Sequence, residues 1–103
     1  MSRRVYPKHQ MRTTVNQVWF FYIVRCIDGS LYSGITNDIE HRVKEHNRGD
    51  GAKYTFSRRP VKLVYCEEHN NVSEARKREA QVKSWTRIKK EQLIVGFPRL
   101  RSE

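Results

Sequence analysis

The feature that most constrains the fold is Val18 to Val24, an unbroken Val-Trp-Phe-Phe-Tyr-Ile-Val run. It is far shorter than the roughly 18–20 apolar residues of a membrane span. Its aromatic and β-branched content suits a strand, and without a polar alternation it has no solvent face. A strand covered on both sides is therefore expected. Asp28-Gly29 follows as a turn signal, and Leu31 to Thr36 predicts the returning strand.

The length of that turn decides where two tyrosines point. A two-residue loop at Asp28-Gly29 pairs Ile27 with Ser30, which puts Tyr22 and Tyr32 on opposite faces. A three-residue loop, Ile27-Asp28-Gly29 with a left-handed Gly29, pairs Cys26 with Ser30 and Tyr22 with Gly34. Both tyrosines then share a face. An odd-length hairpin or a bulge is expected if they share a site.

Beyond the hairpin, Asn37 or Asp38 caps a helix running to about Arg48, and Gly49 stops it. Ile39, Arg42, Val43 and His46 fall on one stripe of that helix. Residues 49–60 read as a loop rich in Gly, Lys and Arg. Val61 to Glu67 predicts a third strand, with Val61, Leu63 and Tyr65 on one face and Val64 and Cys66 on the other. Asn71 and Glu74 are spaced like a capping box for a helix from Val72 to about Trp85. A short helix over about 87–95 ends at Gly96. The expected fold class is α/β: a small, mainly antiparallel three-stranded sheet flanked by helices. The expected organisation is a basic arm over 1–16, one domain over 17–96 and a tail over 97–103.

Charge narrows the partner. The formal net charge is +10 and the pI about 10.1, which calls for a polyanion, most simply nucleic acid. On charge alone, RNA binding without chemistry or a basic ribonucleoprotein component explains the chain. Cys26 and Cys66 form no Cys-x-x-Cys pair and no histidine cluster completes a zinc set. Both fall in apolar segments and are expected as buried free thiols in a cytoplasmic protein. The N-terminal residues carry no apolar stretch behind their charges, so no secretory signal is expected there.

Two charges sit where charges are costly. On an ideal helix Val72, Ala75, Val82 and Thr86 cluster on one side, and Glu79 lies within that stripe. Arg42 occupies the same kind of position between Ile39 and Val43. An inward carboxylate needs a cation or hydrogen bonds. One explanation is a structural Arg42–Glu79 salt bridge, or charges tilted to the edge of the core. The other is an active site.

The tyrosines favour the site. Phe20-Phe21-Tyr22 and Tyr32-Ser33-Gly34 resemble the two signature tripeptides of the GIY-YIG nucleases. The first keeps only its tyrosine; the second keeps its tyrosine and glycine. Arg42, His46 one turn later, and Glu79 on the following helix stand where the family places its arginine, histidine and metal-binding glutamate. The resemblance covers about residues 18–95. With Gly-Ala-Lys-Tyr at 51–54, the compact layout is similar to the family's short stand-alone bacterial branch. The chain departs from the pattern in lacking the first glycine and isoleucine, and in having no asparagine beyond Asn71.

The resemblance implies a metal-dependent endonuclease acting on nucleic-acid phosphodiesters. DNA is expected over RNA, with single-stranded, flapped or branched DNA as targets. Glu79 would hold Mg²⁺ or Mn²⁺, since a hard ion accepts one carboxylate plus waters and substrate phosphate. Arg42 would steady the phosphate in two-pronged fashion. Tyr22 is the expected general base, its pKa lowered by a nearby metal or cation, with Tyr32 positioning water or phosphate, although the choice between the two tyrosines stays open. His46 is a donor, an alternative base or a packing residue. Gly34 either leaves room for phosphate or simply lies beside a bulky ring. Lys53, Tyr54, Arg58, Arg59 and Lys83 are candidate substrate contacts, through phosphate attraction or base stacking. The alternatives are a catalytically inactive nucleic-acid-binding module and a basic ribonucleoprotein component. Oligomeric state is not legible.

Overall fold

The computed structural model describes residues 18–97. The expected basic arm over 1–16 and most of the tail over 97–103 lie outside them. Strand β1 (Trp19–Arg25) is the central strand of a three-stranded antiparallel sheet, with β2 (Leu31–Thr36) on one side and β3 (Lys62–His69) on the other. Between β2 and β3 come α1 (Ile39–Arg48) and the short α2 (Lys53–Phe56). After β3 come α3 (Val72–Lys83) and α4 (Arg87–Val95).

The central position of β1 accounts for its apolar run. Phe20, Tyr22 and Val24 point into one buried layer with Ile39, Val61 and Cys66, and Val43 of α1 packs on it. Phe21 and Ile23 point into the opposite layer with Val82 of α3, backed by Trp85 and by Leu93 and Ile94 of α4. Phe20 and Phe21 therefore fill the two cores where the family motif carries glycine and isoleucine. Cys26 and Cys66 are buried and unbridged.

The turn sets the register. Cys26 N–H donates to Ser30 O at 2.8 Å, Gly29 adopts φ 88°, and Tyr22 pairs with Gly34. This is the three-residue loop, and it places Tyr22 and Tyr32 on one face. Asp38 caps α1 by accepting from His41 N–H, and Gly49 ends the helix at φ 95°. Asn71 caps α3 by accepting from Glu74 N–H at 2.9 Å.

Two expectations are corrected. The segment over 49–60 is not wholly loop, because Lys53–Phe56 forms one helical turn, too short to show a period. The alternation of β3 fails because a bulge interrupts its pairing with β1: Ile23 faces Tyr65, while Val24 faces Leu63. Val64 is the extra residue, so Val64 and Tyr65 enter one layer while Leu63 and Cys66 enter the other.

Candidate active site

The site is built where α1 crosses the Tyr22 face of the sheet. Tyr22 is 1% exposed, and its ring lies against Gly34. Its Oη is 2.8 Å from His46 Nε2 and accepts from Arg42 Nε at 3.3 Å. Arg42 also donates from Nη1 to Glu45 at 3.1 Å. Tyr32 packs edge-on against His46 at 5.3 Å and stacks on Tyr54 at 5.9 Å between ring centroids. Tyr22, Tyr32, Arg42 and His46 thus form one contiguous cluster supplied by β1, β2 and α1.

Burial governs the titration of this cluster. It pushes the Tyr22 phenol up to about 12, outweighing the hydrogen bond and charge of Arg42, which pull it down. Arg42 alone does not produce the expected lowering at this residue, because a buried phenolate loses more solvation than one cation returns. Burial, followed by the charge of Arg42, lowers His46 to about 4. At neutral pH the pair is a protonated phenol and a neutral imidazole.

Glu79 joins the cluster through its charge, one of the influences that raise Tyr22. Its carboxylate pairs with Lys83 at 3.1 Å on its own helix, and Arg42 pairs with Glu45 on its own, so no Arg42–Glu79 bridge accounts for the two inward charges. Both side chains sit at the edge of the core, at 29% and 24% exposure for Arg42 and Glu79. Among the described residues no group of three or more His, Cys, Asp or Glu could share a metal ion. A magnesium-type ion needs no such cluster, since one carboxylate, waters and a substrate phosphate can hold it, and Glu79 is a carboxylate whose charge raises Tyr22.

The candidate substrate contacts divide. Arg58 lies over the Tyr54 ring at 3.9 Å, donates to Tyr54 O at 2.8 Å and pairs with Asp28 of the hairpin turn. Tyr54 is therefore already engaged by Tyr32 and Arg58 rather than presented as a bare stacking platform, although its edge is exposed. Lys53 is exposed beside it. Arg59 is turned elsewhere, over Phe56 at 4.4 Å with Nε on Phe56 O, in a groove lined by Asn47 and Pro60. Lys83 is held by Glu79. At Gly34 a Cβ would lie 2.6 Å from Tyr22 Oη, so its missing side chain makes room for the ring.

Sequence reasoning passed over Thr55, and it quoted Gly51 only within the Gly-Ala-Lys-Tyr likeness, with no role of its own. Thr55 is fully buried with Oγ1 2.8 Å from His46 Nδ1. A Cβ on Gly51 would collide with the His46 ring and with its Cα at 2.8 Å. The Gly-rich composition of the segment was a signal for close approach, whereas nothing in the spacing singled out Thr55.

A family model described as the GIY-YIG catalytic domain matches residues 18–92. The chain belongs to the GIY-YIG nuclease family. A UPF0213 protein of Staphylococcus aureus strain Mu3 is 59% identical over 75 residues, which are 73% of this chain and 92% of that protein. The solution NMR structure of a UPF0213 protein from Bacillus halodurans is 44% identical with a TM-score of 0.50, covering 76% of this chain and 83% of that one. That of a protein from E. faecalis is 42% identical with a TM-score of 0.55, covering 84% and 94%. The family match spans every residue of the cluster, and Glu79 as well. Among the described residues no helix is long and apolar enough to cross a membrane.

Proposed function

We propose that this GIY-YIG domain is a metal-assisted endonuclease that hydrolyses DNA phosphodiesters, preferring single-stranded, flapped or branched substrates. The observation that carries the reading is the contiguous Tyr22–His46–Tyr32–Arg42 cluster within the field of Glu79. Glu79 would hold Mg²⁺ or Mn²⁺, and the ion would supply charge stabilisation to the phosphoryl and leaving oxygens. Lys53 and Arg58 lie beside the cluster and suit the phosphates of a nucleic-acid strand.

The protein's own part is positioning and proton transfer. Arg42 leaves Tyr22 and Glu45 and takes the scissile phosphate with its planar fork. That uncovers a lone pair on Tyr22 Oη. Water gives a proton to Tyr22 Oη as the phenol's own proton passes to His46 Nε2. The water oxygen forms the new P–O bond, and the bond to the leaving sugar oxygen breaks. That oxygen keeps the electron pair and is protonated from solvent. A phenol with a raised pKa suits this transfer, since Tyr22 relays a proton and never has to rest as phenolate. The incoming phosphate favours the imidazolium that forms at His46.

A binding module without turnover is favoured by one observation, the 1% exposure of Tyr22. One assay separates the readings. The protein is incubated with labelled single-stranded, flapped and duplex DNA and with RNA, in Mg²⁺, Mn²⁺ or a chelator. Metal-dependent cleavage that falls at least about 100-fold in Glu79→Ala supports the nuclease. Binding without cleavage under either metal leaves the module.

A further inference from the structure

The hydrogen bonds behind Tyr22 run in one direction. Arginine only donates, so Arg42 Nε gives its proton to Tyr22 Oη, and the phenol's own proton must find another acceptor. His46 Nε2 lies 2.8 Å away. If Nε2 accepts, the neutral ring carries its proton on Nδ1, and Nδ1–H donates to Thr55 Oγ1 at 2.8 Å. Thr55 has one hydroxyl proton, and it donates that to Ala52 O at 3.1 Å. Every donor has an acceptor. In the other tautomer Nε2–H and Arg42 Nε–H would both point at Tyr22 Oη, and the buried phenol proton would have no partner, which is costly.

The local fold is arranged to place that hydroxyl. Gly51 lets the chain lie flush on α1 at His46, where a side chain would meet the helix backbone. The single turn of α2 begins just beyond, with Ala52 as its N-cap, and sets Thr55 under the imidazole. Thr55 and His46 are both fully buried, so water does not substitute for either partner.

We propose that Thr55 is a positioning residue: it fixes His46 as the Nδ1–H tautomer and keeps Nε2 as the acceptor for the Tyr22 proton. The consequence for turnover rests on the nuclease reading above; the tautomer does not. Thr55 acts through His46 and touches no reacting atom.

The test uses the full chain with ¹⁵N-labelled histidine. Long-range ¹H–¹⁵N spectra at pH 7 should show His46 protonated on Nδ1 and bare on Nε2. Thr55→Val, which keeps the shape and removes the acceptor, should convert His46 to a mixture or to the Nε2–H form. Thr55→Ser should retain the wild-type pattern. On a cleavable DNA, Thr55→Val should lower kcat about 10- to 100-fold with KM little changed, the range found when the partner orienting a metal-bound histidine is removed, and Thr55→Ser should restore it. An Nε2–H or doubly protonated His46 in the wild type overturns the inference even if no variant folds, and so does an unchanged tautomer in Thr55→Val. The expected tautomer without cleavage by any form would refute the nuclease reading and leave Thr55's role standing.

Discussion

Gly34→Ala tests whether the Tyr22 ring is clamped. The new Cβ would lie 2.6 Å from Tyr22 Oη, 2.8 Å from Cζ and 3.1 Å from Cε2, well inside the ~3.5–4.0 Å of ordinary contact. The ring has no easy retreat, since it is 1% exposed and its hydroxyl is tied to His46 and Arg42. Overpacking of this kind costs about 1–3 kcal/mol, and replacing a strand glycine by alanine returns about 0.5–1 kcal/mol. A net loss near ~1.5 kcal/mol would lower Tm by roughly 6–12 °C in a domain of this size.

A double-mutant cycle with Tyr22→Phe identifies the clash. Phenylalanine removes the contact at 2.6 Å and keeps the ring carbon at 2.8 Å. Gly34→Ala should therefore cost less in that background, by about 0.5–1 kcal/mol. Urea melts of the four proteins measure this. Wild-type stability in Gly34→Ala, with a raised KM for DNA, would refute the clamp and return the glycine to a role in admitting phosphate. Additive costs in the double variant would show that the strain lies somewhere other than the phenol.

Two further outcomes follow from the same geometry. Arg42→Lys keeps the charge but loses the Nε donor and the planar fork, so cleavage should drop at least about tenfold while far-UV CD is unchanged; equal rates would remove Arg42 from the phosphate. Stability should fall with acid in two windows. Because the folded pKa of His46, about 4, lies below its ordinary 6.5, the unfolded chain binds the proton first, and stability is lost as pH falls from about 6.5 to 4. Glu91 is held down to about 2 by the paired donors of Arg25 and by Arg87, so its contribution is present above about 4.5 and lost toward 2. Urea melts from pH 7 to 3 should show both windows, and Glu91→Gln should flatten only the lower one.

What was legible in the sequence was local chemistry. The doubly covered β1 followed from seven apolar residues without alternation, and the hairpin register from asking which loop lets two tyrosines share a face. Asp38, Gly49 and Asn71 cap their helices because cap geometry is decided within a few residues. The bulge at Val64 was not legible, since it depends on how β3 meets β1. Nor was α2, one turn held by its packing under α1. The inward placement of Arg42 and Glu79 could be read from helical spacing, but their partners could not: each found a carboxylate or ammonium one turn away on its own helix. The pull of Arg42 on Tyr22 was visible in the sequence, and the depth of burial that outweighs it was not.

The burial of Tyr22 bears on how a closed cluster could turn over. Arg42 lies on the phenol, held by one long hydrogen bond to Tyr22 at 3.3 Å and by a part-buried pair with Glu45 on its own helix. The first, with a charged donor, is worth about 1.5–3 kcal/mol at best. The second adds the modest amount of a same-helix ion pair. A phosphate offers the same guanidinium two charge-assisted hydrogen bonds, each worth about 1.5–3 kcal/mol. On the nuclease reading, the exchange favours phosphate once a strand is in reach and bares Tyr22 Oη only when the scissile group is present. The hydrogen bonds of His46 are to Tyr22 and Thr55 rather than to Arg42, so on that reading the acceptor for the proton keeps its Thr55 partner as Arg42 leaves. A site that is 1% exposed at rest is then, on these magnitudes, one that a phosphate can open.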